Sequence, residues 1–414
     1  MAQLSDDCFA FGGAMLSLAQ AEARVAELYG CVVGHHSVPL AEACGAILAT
    51  DIHAPMNLPP ETNSAVDGYA LHHADLAPDR PTTLPLAARI AAGRAPLAAI
   101  PRGQAGRIFT GAIMPEGPDT VMMQEDCEAT DTTVTVQPGI ARGANRRPAG
   151  EDVAHGALAL AAGKRLMPPD IGLLAALGLT EVPVRAPLRV ALFSTGDELV
   201  EAPAPRGPGK LFDANRPMLA ALLRRLGATV IDGGILPDNP GATRAALEQA
   251  ALNADLVLTS GGVSAGEEDH VRRAIEAAGT LAFWRVAIKP GRPVALGAIG
   301  QVPLLGLPGN PVAALVTFAT IGRAVFHRLA GAAPAQLPRF AVPAGFALRK
   351  KPGRREYLRV QIDPAGTAHR YPKDGAGILT SLTESDALME LPEEMERLAP
   401  GTPVPCIPLG ALHG

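Results

Sequence analysis

Three segments decide the fold: 189-RVALFSTGDEL-199, 255-DLVLTSGGVSAGEEDHV-271 and 303-PLLGLPGNPVAAL-315. Each opens on a short apolar run of strand length. Each then turns through Gly, Ser, Pro or Asp, and the last two lead into a helical pattern. Between them the chain alternates in the same way. Helices are expected over 217–226, 242–252 and 267–278, with strands over 228–236, 283–288 and 293–298. A further helix is expected over 311–329. Alternation of this kind predicts a doubly wound, mostly parallel sheet covered on both faces.

Outward from this core the texture changes. Residues 14–50 read as helical through LSLAQAEARVAELYG. Residues 55–145 are rich in Gly, Pro and Thr, with short β runs at 107–109, 120–123 and 133–136, and predict a small β-rich domain. PPDIGLLAALGL starts a helix at Pro168-Pro169 with Asp170 in the first turn. Residues beyond 333 return to β runs such as EYLRVQI. The expected organisation is an elongated helical or linker domain (1–54 and 146–184), the β-rich domain (55–145), the α/β domain (185–332) and a C-terminal β-barrel-like domain (333–414).

Composition narrows the function. The 414 residues are 48% hydrophobic and 19% charged, enough apolar material for packed cores. A net charge of −5 argues against an electrostatic grip on nucleic acid. Five cysteines (8, 31, 44, 127 and 406) form no CxxC pair, so neither a disulfide scaffold nor a zinc ribbon is expected. The uncharged stretch 293–322 is long enough to span a bilayer, but its prolines and glycines would break one continuous helix. No secretory signal is visible at the N-terminus, and the expectation is a soluble, reduced, cytoplasmic protein with no membrane partner.

In an open parallel sheet, ligands bind beyond the carboxyl ends of the strands. The segments there are Ser194–Glu198, Pro237–Asn239, the 260–269 loop (Ser260, Gly261, Gly262, Ser264, Asp269), Lys289-Pro290-Gly291-Arg292-Pro293, and Pro308-Gly309-Asn310-Pro311. The 260–269 loop reads two ways: as a phosphate cradle at a helix start, or as a turn whose acids complement the helix dipole. Asn310-Pro311 reads first as an N-cap with proline at N1. Lys289 and Arg292 read as a solvated surface turn or as a rigid presentation of two cations to an oxyanion. Taken together, Glu198, Asp238 and Asp269 suit Mg²⁺, and Lys289 and Arg292 suit an oxyanion. That is the chemistry of a phosphoester or anhydride assisted by a divalent ion. No Walker lysine or Cys/His nucleophile pair is evident, and the His35-His36 and His72-His73 pairs point in divergent directions.

Across its length the chain resembles the molybdopterin molybdenumtransferases, the MoeA family that includes the gephyrin E domain. The motifs stand in family order: NSAVDGYA, FTGAIMPEGPDTVMMQED, RPAGEDVAHG, PPDIGLLAALGL, FSTGDELV, GKLFDANRPML, TSGGVSAGEEDHV, IKPGRPV and GLPGNPVAAL. The resemblance implies insertion of molybdenum from molybdate into adenylylated molybdopterin, with Mg²⁺ and release of AMP. It implies a homodimer whose cleft is shared between subunits, and a central domain like that of the molybdopterin adenylyltransferases. That enzyme and downstream molybdoenzymes are implied as partners. It assigns catalytic roles to Asp67, Glu198, Asp238 and Asp269, the last three as metal ligands, with Asp269 and Asp238 as candidate bases. Substrate would meet Thr110, Asp152, Ser260, Gly261, Gly262, Ser264, Pro308, Gly309 and Asn310. Molybdate would meet Lys289, Arg292, Pro293 and either Arg354 or Arg355. Three departures stand out: Arg292 replaces a usual lysine, Ala376 in DGAGILTS replaces a usual serine, and Arg216 adds a cation beside Asn215. With Ala376, a hydroxyl donor to molybdate is lost unless Thr380, Ser381 or a backbone N–H substitutes. Rival readings are an adenylyltransferase, a molybdopterin-binding scaffold or carrier, and a tungstate-handling paralogue.

Overall fold

The computed structural model describes residues 15–95, 99–263, 270–334 and 336–413. Ser264 and Asp269 lie outside these residues. At the centre is a six-stranded sheet in the order Thr229–Leu236, Arg189–Thr195, Leu256–Ser260, Val302–Leu307, Pro293–Ile299, Gly279–Arg285. The first four strands are parallel. The last two join through antiparallel ladders.

Alternation along each strand assigns its two faces. Val190 and Leu192 belong to one apolar core, with Leu256 and Leu258, under helices Asn215–Arg225 and Pro311–Leu329. Ala191, Phe193 and Val257 belong to the opposite core, under Pro240–Ala251 and His270–Ala278. Both faces are covered at the centre, so Leu256–Ser260 and Val302–Leu307 are almost wholly buried, whereas the edge strand Thr229–Leu236 is largely exposed. The uncharged stretch resolves into two strands and the start of a core helix. The 311–329 helix is long and apolar enough to cross a membrane, and 83% of it is buried inside the protein.

Two expectations change here. The strand expected over 283–288 is two elements: Gly279–Arg285 is an antiparallel edge strand, and Ile288–Lys289 leaves this sheet. Ile288–Lys289 pairs in parallel with Arg355–Ile362 of the C-terminal sheet. The helix expected over 14–50 is confined to Leu18–Leu28. Beyond it, Gly30, Gly34 and Pro39 interrupt helical geometry, and His35–Pro39 pairs instead with Glu181–Arg185.

The 18–28 helix starts on a capping box at Ser17 and Gln20 and buries Leu18, Ala21 and Val25 in the central core. Short antiparallel pairings join 52–53 to 158–160 and 63–64 to 146–147. From this stem hangs a second six-stranded sheet, with Gly68–Leu71 between Thr120–Met123 and Ala105–Ile108. The C-terminal sheet runs Ile288–Lys289, Arg355–Ile362, Ala387–Leu391, Pro403–Pro408, Phe340–Pro343 around its own apolar core.

Candidate functional site

The strand after Arg189–Thr195 lies on one side of it and the next, Leu256–Ser260, on the other. This reversal of strand order is the switch point where an open sheet leaves a crevice. A cleft of about 1220 Å³ opens there, walled on its far side by the C-terminal sheet. It is lined by Glu198, Asp238, Ser260, Gly261, Gly262, Lys289, Arg292, Pro293, Pro308, Gly309, Asn310 and Arg354. Six segments separated in sequence therefore meet in one concavity.

Backbone geometry explains the residue types. Gly196 has φ +134, and a Cβ there would lie 2.2 Å from a Glu198 carboxylate oxygen. Glycine thus lets the Glu198 side chain fold back over its own turn. Asp197 and Asp238 cap each other: the Asp197 N–H donates to Asp238 Oδ2 at 2.9 Å and the Asp238 N–H to Asp197 Oδ1 at 3.1 Å. The two strand-end turns are locked, and Asp238 faces the cleft. Gly261 (φ +98) sits where a Cβ would come within 2.6 Å of Thr195 Oγ1. Asn215 Nδ2 donates to Ser260 Oγ at 2.8 Å and to the Gly309 carbonyl at 2.6 Å, joining two loops through one amide.

The cationic wall is built on the 289–293 turn. Gly291 has φ +111 and packs on the 311–329 helix, where Thr317 Oγ1 donates to its carbonyl at 3.4 Å. Arg292 is 8% exposed. Lys289 Nζ stands 3.0 Å from the nearly buried Glu356 carboxylate, a consequence of the parallel pairing of 289 with 356. Across the cleft, Arg359 is 7% exposed and donates to Ser381 Oγ and the Gly375 carbonyl, each at 3.1 Å. Burial holds its guanidinium below the usual arginine range, with Asp374 opposing the shift.

Several expectations need correction. Asn310 occupies the N-cap position, but its side chain makes no capping bond. The Val312 N–H instead donates to the Ala376 carbonyl at 2.9 Å, so the C-terminal wall caps this helix and the Asn310 side chain lines the cleft. Of the two arginines offered for the oxyanion, Arg354 lines the cleft, whereas Arg355 is held by Glu390 (2.9 Å) and Glu393 (3.0 Å) and does not. Ser381 is fully buried and its hydroxyl serves Arg359 and the Ile378 carbonyl, so it offers no hydroxyl in place of the missing serine at Ala376. Thr380 is not among the cleft residues either, and it accepts from Tyr371 at 3.2 Å. Arg216 adds no cation to the cleft, because Asp213, Asp232 and Glu201 surround it.

Several cleft residues escaped sequence reasoning, Asp213 and Arg359 among them. Asp213, held by Ser194 Oγ at 2.9 Å, follows no main-sheet strand. Arg359 lies inside an apolar strand, where an arginine reads as an exposed interruption. Asp67, Thr110 and Asp152 line a different part of the chain. Asp67 accepts from the Thr110 N–H at 2.8 Å and its hydroxyl at 2.7 Å, and these bonds hold its carboxyl below the usual range. The Asp152 N–H donates to the Leu58 carbonyl at 2.9 Å.

A switch-point cleft lined by both carboxylates and cations is the ligand site of a multidomain α/β protein. Residues 16–178 match the MoeA N-terminal region (domain I and II), residues 191–328 a probable molybdopterin binding domain, and residues 341–409 the MoeA C-terminal region (domain IV). The molybdopterin molybdenumtransferase of Haemophilus influenzae is 37% identical over 97% of this chain and 100% of its own. Molybdopterin molybdenumtransferase 2 of Mycobacterium tuberculosis is 36% identical over 88% of this chain and 93% of its own. The molybdopterin biosynthesis moeA protein of Pyrococcus horikoshii superposes with a TM-score of 0.82 at 29% identity, covering 95% of this chain and all of the other. The chain belongs to the MoeA family of molybdopterin molybdenumtransferases.

Proposed function

We propose that this cleft inserts molybdenum from molybdate into adenylylated molybdopterin and releases AMP, with Mg²⁺ as the divalent ion. The observation that carries the reading is the convergence of both charges in one cleft: Glu198, Asp213 and Asp238 meet Lys289, Arg292, Arg354, Arg359 and Arg370, with Lys289 and Arg370 each paired to a lining carboxylate, Glu356 and Asp374. Cations on rigid turns suit a tetrahedral dianion. Glu198 and Asp238 offer only oxygen donors, and Mg²⁺ is commonly held by one or two carboxylates with phosphate oxygens and water completing its shell. No cluster of three or more metal-binding side chains occurs among the described residues, and Asp269, the third carboxylate expected here, lies outside them. Mg²⁺, when bound, would neutralise charge developing on the anhydride oxygens.

The protein's own residues do the rest. Lys289 and Arg292 hold the oxyanion, and the turn packed on Thr317 keeps them in register. Gly261 and Gly262 line the cleft, where a Cβ on either would crowd Thr195, and their backbone would face the conjugate there. Asp238, fixed by Asp197, orients water at the anhydride. Fixing oxyanion and dithiolene together supplies proximity, which can contribute on the order of 7–11 kcal/mol. Asp67, Thr110 and Asp152 are not among the residues of this cleft; in a homodimer they would be supplied by the second copy.

The test is incubation with adenylylated molybdopterin, Mg²⁺ and molybdate, measuring AMP release and molybdenum in the product. Wild type should release AMP in step with insertion, and Lys289→Met should impair both. AMP release independent of molybdate and of Lys289 would overturn the reading. Competition with tungstate, read as metal content of the product, separates the two oxyanions.

A further inference from the structure

A charged cleft should not expose apolar side chains to water unless a ligand or partner covers them. This one does. Leu211 is 58% exposed, Phe212 49% and Leu379 37%, and all three line the cleft. The only other aromatic ring among the described lining residues, Tyr357, is 1% exposed.

The pair at 211–212 is firmly mounted. Leu211–Phe212 pairs with Leu199–Val200. The Leu211 N–H donates to the Glu198 carbonyl at 2.7 Å, and the Asp213 N–H to the Val200 carbonyl at 3.0 Å. Asp213 is fixed in turn by Ser194 and by Arg216 Nε at 3.0 Å, and Arg216 also grips Glu201 at the start of the loop that leads to Leu211. The ring therefore stands on a braced strand next to the Glu198 turn, with Leu379 arriving from the C-terminal wall.

We propose that Phe212, with its neighbour Leu211, is the stacking seat for a planar heteroaromatic ring of the substrate, placing that ring beside the carboxylate turns. Phe212 is a specificity-determining residue in this account, which rests on the nucleotide-conjugate reading above. Every heterocycle offers a π-face, so an exposed ring beside phosphate-compatible loops recognises the ring while the charged groups recognise the phosphate. Adenine and pterin share this chemistry.

The experiment is calorimetric titration of the full chain, with Mg²⁺, by AMP, ribose 5-phosphate and 6-carboxypterin. Wild type, Phe212→Ala and Phe212→Tyr are compared, each checked by sedimentation. Phe212 is half exposed, so the fold should tolerate both changes. Loss of a stacked ring should weaken binding by about tenfold. Weakening of AMP in Phe212→Ala, with ribose 5-phosphate unchanged and Phe212→Tyr near wild type, supports the proposal and assigns adenine to the seat. The same pattern confined to 6-carboxypterin supports it and assigns the pterin. Unchanged affinity for both ring ligands overturns it. So does a change in oligomeric state caused by Phe212→Ala, which would make this face a contact between copies. Failure of wild type to bind any of the three probes would sink the nucleotide-conjugate reading itself, and this proposal with it.

Discussion

Arg216→Met tests whether one arginine braces the carboxylate side of the cleft. Arg216 meets three carboxylates of unequal burial: Asp213 has 3% of its side chain exposed, whereas Asp232 and Glu201 each have 55%. The two exposed pairs are screened, and each contributes about 0–1 kcal/mol. Asp213 dominates, because removing one partner of a buried pair strands the other charge at a cost of roughly 3–5 kcal/mol. Ser194 Oγ and the Arg216 N–H still donate to Asp213 after the substitution, which places the expected loss near the lower end, about 3 kcal/mol. At about 2–4 °C per kcal/mol for a unit of this size, calorimetry should show a transition lowered by about 6–12 °C. A multidomain chain can melt in stages, so the affected transition is followed rather than a single midpoint. The second variant, Asp213→Asn with Arg216→Met, removes the stranded charge and should recover much of the loss. A double variant no more stable than Arg216→Met alone would refute the argument, since the penalty would not come from the Asp213 charge.

The remaining predictions follow the same logic. His327 is 8% exposed, neither ring nitrogen has a hydrogen-bond partner, and burial, with Arg323 and Arg165 nearby, pushes its pKa down to about 4. The unfolded chain takes up that proton near pH 6.5 and the folded one only near 4, so stability is full above about 6.5 and falls towards pH 4, by about 3 kcal/mol in the limit. Urea midpoints across that window should decline less in His327→Phe than in wild type; equal slopes would exclude His327 as the cause. Thr110→Val removes one of two donors to Asp67, so the carboxyl titration followed by NMR should move up towards the usual range without reaching it. Gly291→Ala sets a methyl 2.1 Å from Thr317 Oγ1 at φ +111. Molybdate affinity should drop, and adding Thr317→Ala should recover only part of it, because left-handed backbone still costs a non-glycine residue about 1–2 kcal/mol. Full recovery would show that only the clash matters.

What was legible in the sequence was the periodicity and the chemistry at strand ends. Val190 and Leu192 against Ala191 and Phe193 is a pattern that only a two-faced sheet explains, and the cores divide along it. The segments after those strands, read as polar or Gly-rich ends, do meet in one cleft. Pairings between distant segments were not legible. Nothing local in FWRVAI announces that Ile288–Lys289 leaves one sheet for another, since the partner strand lies 67 residues further on. Nor does RREYLR reveal which arginine enters the cleft. Arg355 is claimed by Glu390 and Glu393, and Arg359 is turned inward by Ser381 and Gly375; both outcomes depend on partners brought in by tertiary structure. Asn310 misled for the opposite reason: its local rule was complete, and a carbonyl from the C-terminal wall took over the capping.

That substitution of caps bears on how the cleft keeps its shape. Its two walls belong to different sheets, and surface charge pairs alone would hold them weakly. They are joined instead by backbone: the parallel pairing of 288–289 with 355–356, and the bond from the Val312 N–H to the Ala376 carbonyl. Backbone bonds fix direction as well as distance, so Lys289 and Arg354 reach the cleft from neighbouring segments of the C-terminal sheet in a set register. Lys289 is 56% exposed and rests against Glu356, which is 5% exposed. The flexible partner is thus the cation, and the carboxylate is the fixed one. An entering oxyanion can draw Lys289 off Glu356 without disturbing either wall, whereas Arg292 and Arg359, both buried, stay where the sheets have put them. Under the proposed function, a rigid frame with one movable ammonium would suit a small dianion that is gripped and then transferred.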